Sequence, residues 1–284
     1  MVPGFIRPTI DPSRSAAQHA ETQEAAINAR NALVGGAGTG IGYGAAEQLL
    51  RSGHRVVITG RRAEPLESAA LRLGRDTGGT VHTLVNDMSE PKSAEAALTE
   101  VESRFGTLDV LVLNAGGPPP GRILDVDDER WHQAFDLLLL GPLRLARLAL
   151  PRMAARGFGR VVFVTSTAVR QPQPDLATSV VLRSAVTAAA KLLAREFAAE
   201  GVTVNCVAPG ATATDRRREI LEARARRTGA AFEDLDAADV ADIPAGRAGQ
   251  PEEVGAAVAF LASAAASFIN GTVLTVDGGR TETI

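Results

Sequence analysis

From Asn31 onward, the chain alternates between short apolar runs and longer stretches in which apolar residues recur at helical spacing. The short runs are nearly continuous valine, isoleucine and leucine, which is typical of parallel strands buried on both faces. They predict seven strands, at Asn31–Val34, Arg55–Thr59, Val81–Val85, Val110–Asn114, Arg160–Thr165, Thr203–Val207 and Thr272–Val276.

The stretches between the strands predict helices at Gly44–Arg51, Glu64–Gly74, Lys92–Phe105, Asp127–Arg156, Ser179–Glu200 and Pro251–Ala262. Strands that alternate with helices predict an α/β fold with a single, mostly parallel sheet and helices on both faces. Seven strands in one sheet account for residues 29–284 as one domain.

Two segments depart from this alternation. Residues 1–28 contain three early prolines and then become rich in alanine and glutamate, which indicates a flexible arm followed by a short helix. This arm could instead cover a neighbouring subunit. The highly charged residues 215–242 predict either a helical insertion on the substrate side or a solvated pair of surface helices.

Composition narrows the possible environments of the protein. The 284 residues carry a net charge of −3 and are 45% hydrophobic, so overall charge favours neither nucleic acid nor an anionic membrane as a partner. The lone cysteine fits a reducing compartment, and the four scattered histidines predict no metal site. We expect a cytoplasmic protein without a secretory signal or membrane span.

A glycine-rich loop follows the first predicted strand and opens the first helix. It reads Gly36-Ala37-Gly38-Thr39-Gly40-Ile41-Gly42. Glycines in this setting allow a tight turn and let backbone N–H groups approach a pyrophosphate, whose charge the helix N-terminus favours. The strand–loop–helix context therefore predicts a dinucleotide site and a doubly wound Rossmann fold.

The end of the second strand indicates which dinucleotide is bound. NAD enzymes of this fold tend to place an acidic residue there, but this chain has Gly60 followed by Arg61 and Arg62. A guanidinium can hold the 2′-phosphate that a carboxylate would repel, so we expect NADP(H) in preference to NAD(H). Alternatively, the two arginines begin a solvated helix.

Residues 31–279 resemble the short-chain dehydrogenase/reductase family, in particular its members similar to 3-oxoacyl-carrier-protein reductase. The resemblance rests on the glycine loop, Asn86-Asp87, Asn114-Ala115-Gly116, Trp131, Ser166, Asn205, Pro209-Gly210, Thr214 and Asp277-Gly278-Gly279. It implies cofactor contacts from Gly36, Gly38, Thr39, Gly40, Ile41, Gly42, Arg61, Arg62, Asp87, Met88, Asn114, Ala115, Gly116, Arg183, Pro209, Gly210, Thr212 and Thr214. It also implies a homo-oligomer, either a tetramer or a dimer.

The catalytic residues of that family are only partly present. The family uses a tyrosine as proton donor, a lysine four residues later, a serine that orients the carbonyl and an asparagine that holds a relay water. Ser166 matches the serine position. The tyrosine, lysine and asparagine positions fall on Ser179, Arg183 and Leu138. Ser179 could instead be a helix N-cap or a small packing residue.

Other residues offer few replacements for the missing acid. Tyr43, the single tyrosine, follows the glycine loop and is expected to serve helix packing. Asp175 could donate a proton if burial raised its pKa, although a turn aspartate beside Pro174 is the simpler interpretation. Lys191 lies two turns beyond Arg183 and is expected to point elsewhere, and Cys206 is expected to be a buried, inert thiol.

The resemblance leaves three functional hypotheses. The first is an NADP(H)-dependent oxidoreductase that acts on a carbonyl or alcohol with Ser166, Ser179 and Arg183 in an atypical site. The second is a non-redox enzyme on the same scaffold, such as an isomerase, dehydratase or cyclase. The third is a non-catalytic subunit. The expected partner is a small-molecule substrate.

Overall fold

The computed structural model describes residues 29–283, so the predicted arm at residues 1–28 lies outside the described part. Seven parallel strands form one sheet in the order β3-β2-β1-β4-β5-β6-β7. Their bounds are β1 Asn31–Val34, β2 Arg55–Gly60, β3 Val81–Val85, β4 Val110–Leu113, β5 Gly159–Val164, β6 Val202–Pro209 and β7 Val273–Val276. All seven predicted strands are confirmed, with ends that differ by at most two residues.

The main helices are α1 Gly40–Arg51, α2 Ala63–Thr77, α3 Ser93–Phe105, α4 Asp128–Phe135, α5 Gly141–Ala155, α6 Ala177–Glu196, α7 Asp215–Thr228, α8 Phe232–Ala241 and α9 Pro251–Ala262. The sheet has a hydrophobic core on each face, and successive residues of a strand enter opposite cores. Ala32 and Val34 of β1 pack under α1, α2 and α9, whereas Leu33 packs under α3, α5 and α6. The predicted doubly wound Rossmann fold is therefore confirmed.

The predicted helix Asp127–Arg156 is interrupted. A π-helical turn, Asp136–Leu140, separates α4 from α5 and contains one additional residue per turn. Four successive leucines occupy this turn, so its apolar periodicity gives no sign of the change. Leu138 is buried in it against Ala134 and Leu182.

Two helices lie between β6 and α9. Thr214 caps α7 by accepting a hydrogen bond from the Arg217 backbone N–H, and Gly229 ends that helix in the left-handed conformation. Arg217 of α7 forms ion pairs with Asp236 and Asp239 of α8, which join the two helices. The predicted insertion at residues 215–242 thus contains a joined helix pair; its role stays a prediction.

Helix α6 has the length and mean hydropathy of a membrane span, and it is the one such helix among residues 29–283. This finding qualifies the expectation that nothing in the chain could span a membrane. Val186 and Ala190 of α6, however, pack in the sheet core. A core helix of a soluble fold satisfies the same compositional test, so the finding carries little weight.

Candidate active site and dinucleotide cleft

Two adjoining cavities lie at the carboxyl ends of the strands, where the strand order reverses between β1 and β4. One, of about 260 Å³, is bordered by the glycine loop, β5, α6 and α7. The other, of about 220 Å³, lies beside the end of β2 and shares Gly36, Thr39 and Asn114 with the first. A cleft at this switch point is where doubly wound folds bind nucleotides.

The glycine loop is shaped by close backbone approaches. Gly36 and Gly40 each adopt a φ of +58°, which side-chain-bearing residues rarely adopt. A Cβ at Gly42 would lie 2.3 Å from the Gly36 carbonyl oxygen. Gly42 lines neither cavity and instead packs beneath the loop. Gly42 therefore contributes to loop packing, and its predicted contact with the cofactor stays a prediction.

The N-terminus of α1 faces this cleft without a local partner. Thr39 is its N-cap, yet its side chain accepts no capping hydrogen bond, and the first turn contains no acidic residue. Unpaired N–H groups and the positive end of the helix dipole favour an anion at this position. The described residues thus fit a pyrophosphate here.

Asn114 holds the loop in place from the end of β4. Its buried side-chain amide donates to the carbonyl oxygen of Gly35 at 2.9 Å and to that of Gly36 at 3.3 Å. These bonds join the carboxyl ends of β1 and β4 across the switch point. The amide therefore supports the loop conformation rather than facing open solvent.

The second cavity has the features expected of an adenosine pocket. Arg61 and Arg62 border it with exposed side chains, and neither forms an ion pair within residues 29–283. Asp87 borders it as well, and its carboxylate accepts hydrogen bonds from the backbone N–H and hydroxyl of Ser89. Met88 also borders the cavity. Two free guanidinium groups at its rim suit a phosphate substituent on a ribose.

Ser166, Ser179 and Arg183 meet in the larger cavity. Ser166 follows β5, and its Oγ accepts a hydrogen bond from the Ala168 N–H at 3.1 Å. Ser179 and Arg183 lie one turn apart on α6, and the Arg183 Nε donates to the Ser179 Oγ at 3.2 Å. The structure thus brings together the three residues predicted as catalytic. Ser179 is the third residue of α6, so it is not an N-cap.

The Arg183 guanidinium is held over the ends of two strands. It donates to the carbonyl oxygen of Val164 at 2.6 Å and to that of Ala115 at 3.3 Å. Burial, and secondarily the charge of Arg216, lowers the pKa of Arg183 to about 10. Arg183 remains a cation at neutral pH, with N–H groups to spare for a ligand.

Pro209, Gly210, Thr212 and Thr214 border the larger cavity, as do Gly40, Ile41, Ala115 and Gly116, whereas Gly38 borders the smaller one. Leu138, by contrast, is 3% exposed and lies in an apolar cluster. An apolar side chain cannot order a water molecule, so Leu138, at the position that the family resemblance assigns to the relay-water asparagine, serves packing.

The structure contradicts a proton-donor role for Asp175. Burial alone would raise its pKa, but hydrogen bonds and charge from Arg227 and Arg224 outweigh burial and hold the pKa below its usual range. The Arg227 guanidinium donates to both carboxylate oxygens, at 2.6 and 2.7 Å. Asp175 is therefore an ion-pair anchor between its loop and α7.

Three other residues lie apart from the reactive cavity. The Tyr43 ring packs against the Arg72 guanidinium, and burial raises the pKa of its phenol. The Lys191 ammonium donates to the Gly271 carbonyl oxygen at 3.0 Å. Burial raises the pKa of the Cys206 thiol to about 12, so the thiol is un-ionised at neutral pH. None of the three borders the larger cavity.

Arg216 was not among the predicted site residues, yet it extends from the first turn of α7 into the larger cavity. Its Nη2 donates to the Pro118 carbonyl oxygen at 2.5 Å, in the loop after β4. The run Arg216-Arg217-Arg218, which follows Asp215, was the available signal. Nothing in that run shows that Arg216 reaches Pro118 whereas Arg217, which also borders the cavity, pairs with α8.

These features define a doubly wound α/β domain with two adjoining cavities at its switch point. A family model described as enoyl-(acyl carrier protein) reductase matches residues 36–281. The 3-oxoacyl-acyl-carrier-protein reductase of Escherichia coli (strain K12) is 33% identical over 248 residues, covering 87% of this chain and 96% of that protein. The chain belongs to the short-chain dehydrogenase/reductase family and is similar to its 3-oxoacyl-carrier-protein reductases.

Other similar proteins agree with this assignment. Cis-4-hydroxycyclohexanecarboxylate dehydrogenase of Sinomonas cyclohexanicum is 36% identical over 253 residues, covering 89% of this chain and 96% of that protein. A crystal structure of actinorhodin polyketide ketoreductase with NADPH matches with a TM-score of 0.86 and 32% identity, over 90% of this chain and 99% of that one.

Proposed function

We propose that this protein is an NADP(H)-dependent oxidoreductase that interconverts a carbonyl and an alcohol at an atypical active site. The observation that carries the proposal is the end of β2, where Gly60 stands in place of an acid and two arginines, without ion pairs among residues 29–283, border the adenosine cavity. The NADPH in the structure of actinorhodin polyketide ketoreductase supports the same cofactor.

The cofactor would lie along the two adjoining cavities. The N–H groups at the start of α1 would bind its pyrophosphate, and Arg61 would bind the 2′-phosphate by charge-assisted hydrogen bonds. Asp87 and Met88 would border the adenine, while Pro209, Gly210 and Thr214 would border the nicotinamide. When bound, this cofactor supplies or accepts the hydride.

The residues of the larger cavity would manage the substrate oxygen. Ser166 would donate a hydrogen bond that orients the carbonyl, and Arg183 would stabilise negative charge as it develops on that oxygen. The Ser179 hydroxyl would give the oxygen its proton and recover one from solvent. A serine alcohol is a much weaker acid than a phenol with a pKa near 10, so this transfer is the difficult step.

A non-redox enzyme on the same scaffold is the second candidate. The observation that favours it is the change of three of the four catalytic residue types, including the burial of Leu138. Arg183 would then stabilise an oxyanion formed by enolisation or elimination, without net hydride transfer. Because the dinucleotide cleft would be retained in either case, cofactor binding alone does not separate the two candidates.

The similar proteins indicate a class of substrate, and the exposed apolar surface indicates an assembly. The names of the similar proteins describe carbonyl or alcohol substrates, which supports such a substrate here. We also propose a cytoplasmic homo-oligomer, a dimer or tetramer. Leu192, Phe260 and Phe268 are exposed apolar side chains on the described surface, and contact between copies would bury them.

The decisive experiment follows deuterium from the reduced cofactor. The protein is incubated with NADPH deuterated at the transferred position and with a panel of ketones, and product deuterium is measured by mass spectrometry. Stoichiometric incorporation, lost in Ser166→Ala and reduced in Arg183→Ala, is expected. Product formation without deuterium and without NADPH oxidation would instead establish the non-redox candidate.

A further inference from the structure

The wall of the larger cavity formed by α7 contains arginines that differ in their ion pairs. Arg217 contacts Asp236 and Asp239 of α8, and Arg224 contacts Asp175 at 3.3 Å. Arg216 approaches only Glu219, at 3.4 Å, and the Glu219 side chain is 63% exposed. Among residues 29–283, Arg216 therefore has no buried carboxylate partner.

Arg216 nevertheless lies inward. Its side chain is 27% exposed and crosses the cleft to the loop after β4. It rests on Gly117 so closely that a Cβ there would lie 2.6 Å from the Arg216 Nε. A residue larger than glycine at position 117 would therefore displace this guanidinium from the cleft.

Positive charge exceeds negative charge around this cavity, because the bordering carboxylate of Asp239 is already paired with Arg217 and Arg280. The Arg183 guanidinium borders the same cavity, and the charge of Arg216 contributes to lowering the pKa of Arg183. Arg216 also lies in the first turn of α7, where the helix dipole disfavours a cation. Asp215 borders the cavity too, but it is solvent-exposed and pairs with neither guanidinium. Burial lowers the pKa of Arg216 itself.

Two partly desolvated guanidinium groups in one cavity disfavour the folded state unless a ligand supplies negative charge. We propose that Arg216 is the specificity-determining residue of this site and binds a carboxylate group on the substrate, with Arg183 adding to the positive potential. This proposal rests on the proposed function, in which the reacting carbonyl of the substrate lies on the Ser166 side of the same cavity.

The cofactor pyrophosphate is the other possible source of an anion. The described geometry favours the substrate, because Arg216 extends toward Gly117 and Pro118 and not toward the glycine loop. Its neighbour Thr214, by contrast, does approach Gly40. Replacing Arg216 should therefore weaken substrate binding and leave cofactor binding unchanged.

The test is isothermal titration of the NADP⁺-loaded protein with acetoacetate and 4-oxopentanoate, each compared with its uncharged methyl ester. Charge-assisted hydrogen bonds predict that at least one acid binds about tenfold or more tightly than its ester. Arg216→Gln should abolish this preference, whereas Arg216→Lys should retain most of it. Arg224→Gln, on the same helix but paired with Asp175, is the matched control and should keep the preference.

Equal binding of acids and esters to the unmodified protein, or an acid preference that survives in Arg216→Gln, would overturn the proposal. So would a loss of NADPH affinity in Arg216→Gln as large as the loss of acid affinity, because it would assign the arginine to the pyrophosphate. If the unmodified protein binds no NADPH, the proposed function fails separately. The same acid and ester titrations of the cofactor-free protein then decide the carboxylate proposal.

Discussion

The predicted cofactor half and the predicted catalytic half of this cleft differ in how far they depart from the family pattern. In the predicted cofactor half, the glycine loop, the Asn114 amide bonds and the uncapped N-terminus of α1 form a cradle that fits a pyrophosphate. In the predicted catalytic half, Ser179, Arg183 and Leu138 stand at the positions where the family resemblance implies a tyrosine, a lysine and an asparagine.

Local packing explains how the two halves can differ. Close packing constrains the cradle, since a side chain at Gly42 would collide with the Gly36 backbone. Arg183 and Leu138 instead make contacts of their own: Arg183 bonds to two strand ends, and Leu138 joins an apolar cluster. One fold can therefore hold a dinucleotide cradle beside a site of different chemistry.

Restoring the family residues should give the largest effect. The double variant Ser179→Tyr, Arg183→Lys supplies a phenol and a neighbouring ammonium, and general acid catalysis is expected to raise kcat for a simple ketone by about 100-fold or more. NADPH oxidation followed by absorbance measures it, with Arg183→Lys alone as the control. An unchanged kcat, with NADPH affinity intact, would show that the catalytic half does not limit the rate.

Disrupting the packing of the glycine loop should have an effect of similar size on NADPH affinity. Gly42→Ala places a methyl group 2.3 Å from the Gly36 carbonyl oxygen, so the loop must shift. We expect NADPH affinity, measured by fluorescence titration, to fall by about 100-fold, equivalent to roughly 2.7 kcal/mol. Gly74→Ala is the matched control: it lies within α2, where its Cβ would meet only Val81 at 3.8 Å. If both variants bind NADPH equally well, loop packing is not what preserves the cradle.

Removing the Arg61 charge should affect only one cofactor. Arg61→Gln is expected to weaken NADPH binding by about tenfold or more and to leave NADH binding unchanged, because NADH has no 2′-phosphate. Arg75→Gln serves as the control, since Arg75 pairs with Asp76 on the exposed surface of α2. Equal losses for NADPH and NADH would assign Arg61 to general packing.

The smallest expected effect is on stability, from removing the charge of Asp175 that anchors its loop to α7. Asp175→Asn should lower the free energy of unfolding at neutral pH by about 1 kcal/mol, as expected for a partly exposed ion pair. Arg227 and Arg224 lower the folded-state pKa of Asp175 below the ordinary 3.8. Its contribution is therefore fully present above that ordinary value and is lost as the pH falls through the folded-state pKa. Denaturation of both proteins at pH 7 and pH 3 should show the difference shrinking in acid.

The sequence predicted the sheet well because each strand is a short apolar run with clear boundaries. The π-helical turn could not be predicted, because the four successive leucines within it give an apolar run without a distinguishable period. Residue spacing did identify Ser179 and Arg183 as neighbours on one helix face. It could not show that Asp175 is held ionised by Arg227, because that pair joins residues 52 positions apart. The role of Arg216 could not be predicted for the same reason, because it contacts Pro118, which lies 98 positions away in the sequence.

The most direct test of the central claim compares the equilibrium dissociation constants of NADPH and NADH for the unmodified protein, measured by cofactor fluorescence. An intact cradle with arginines at the end of β2 predicts saturable binding of NADPH, tighter than NADH by about tenfold or more. Failure of either cofactor to bind, or a clear preference for NADH, would contradict the account.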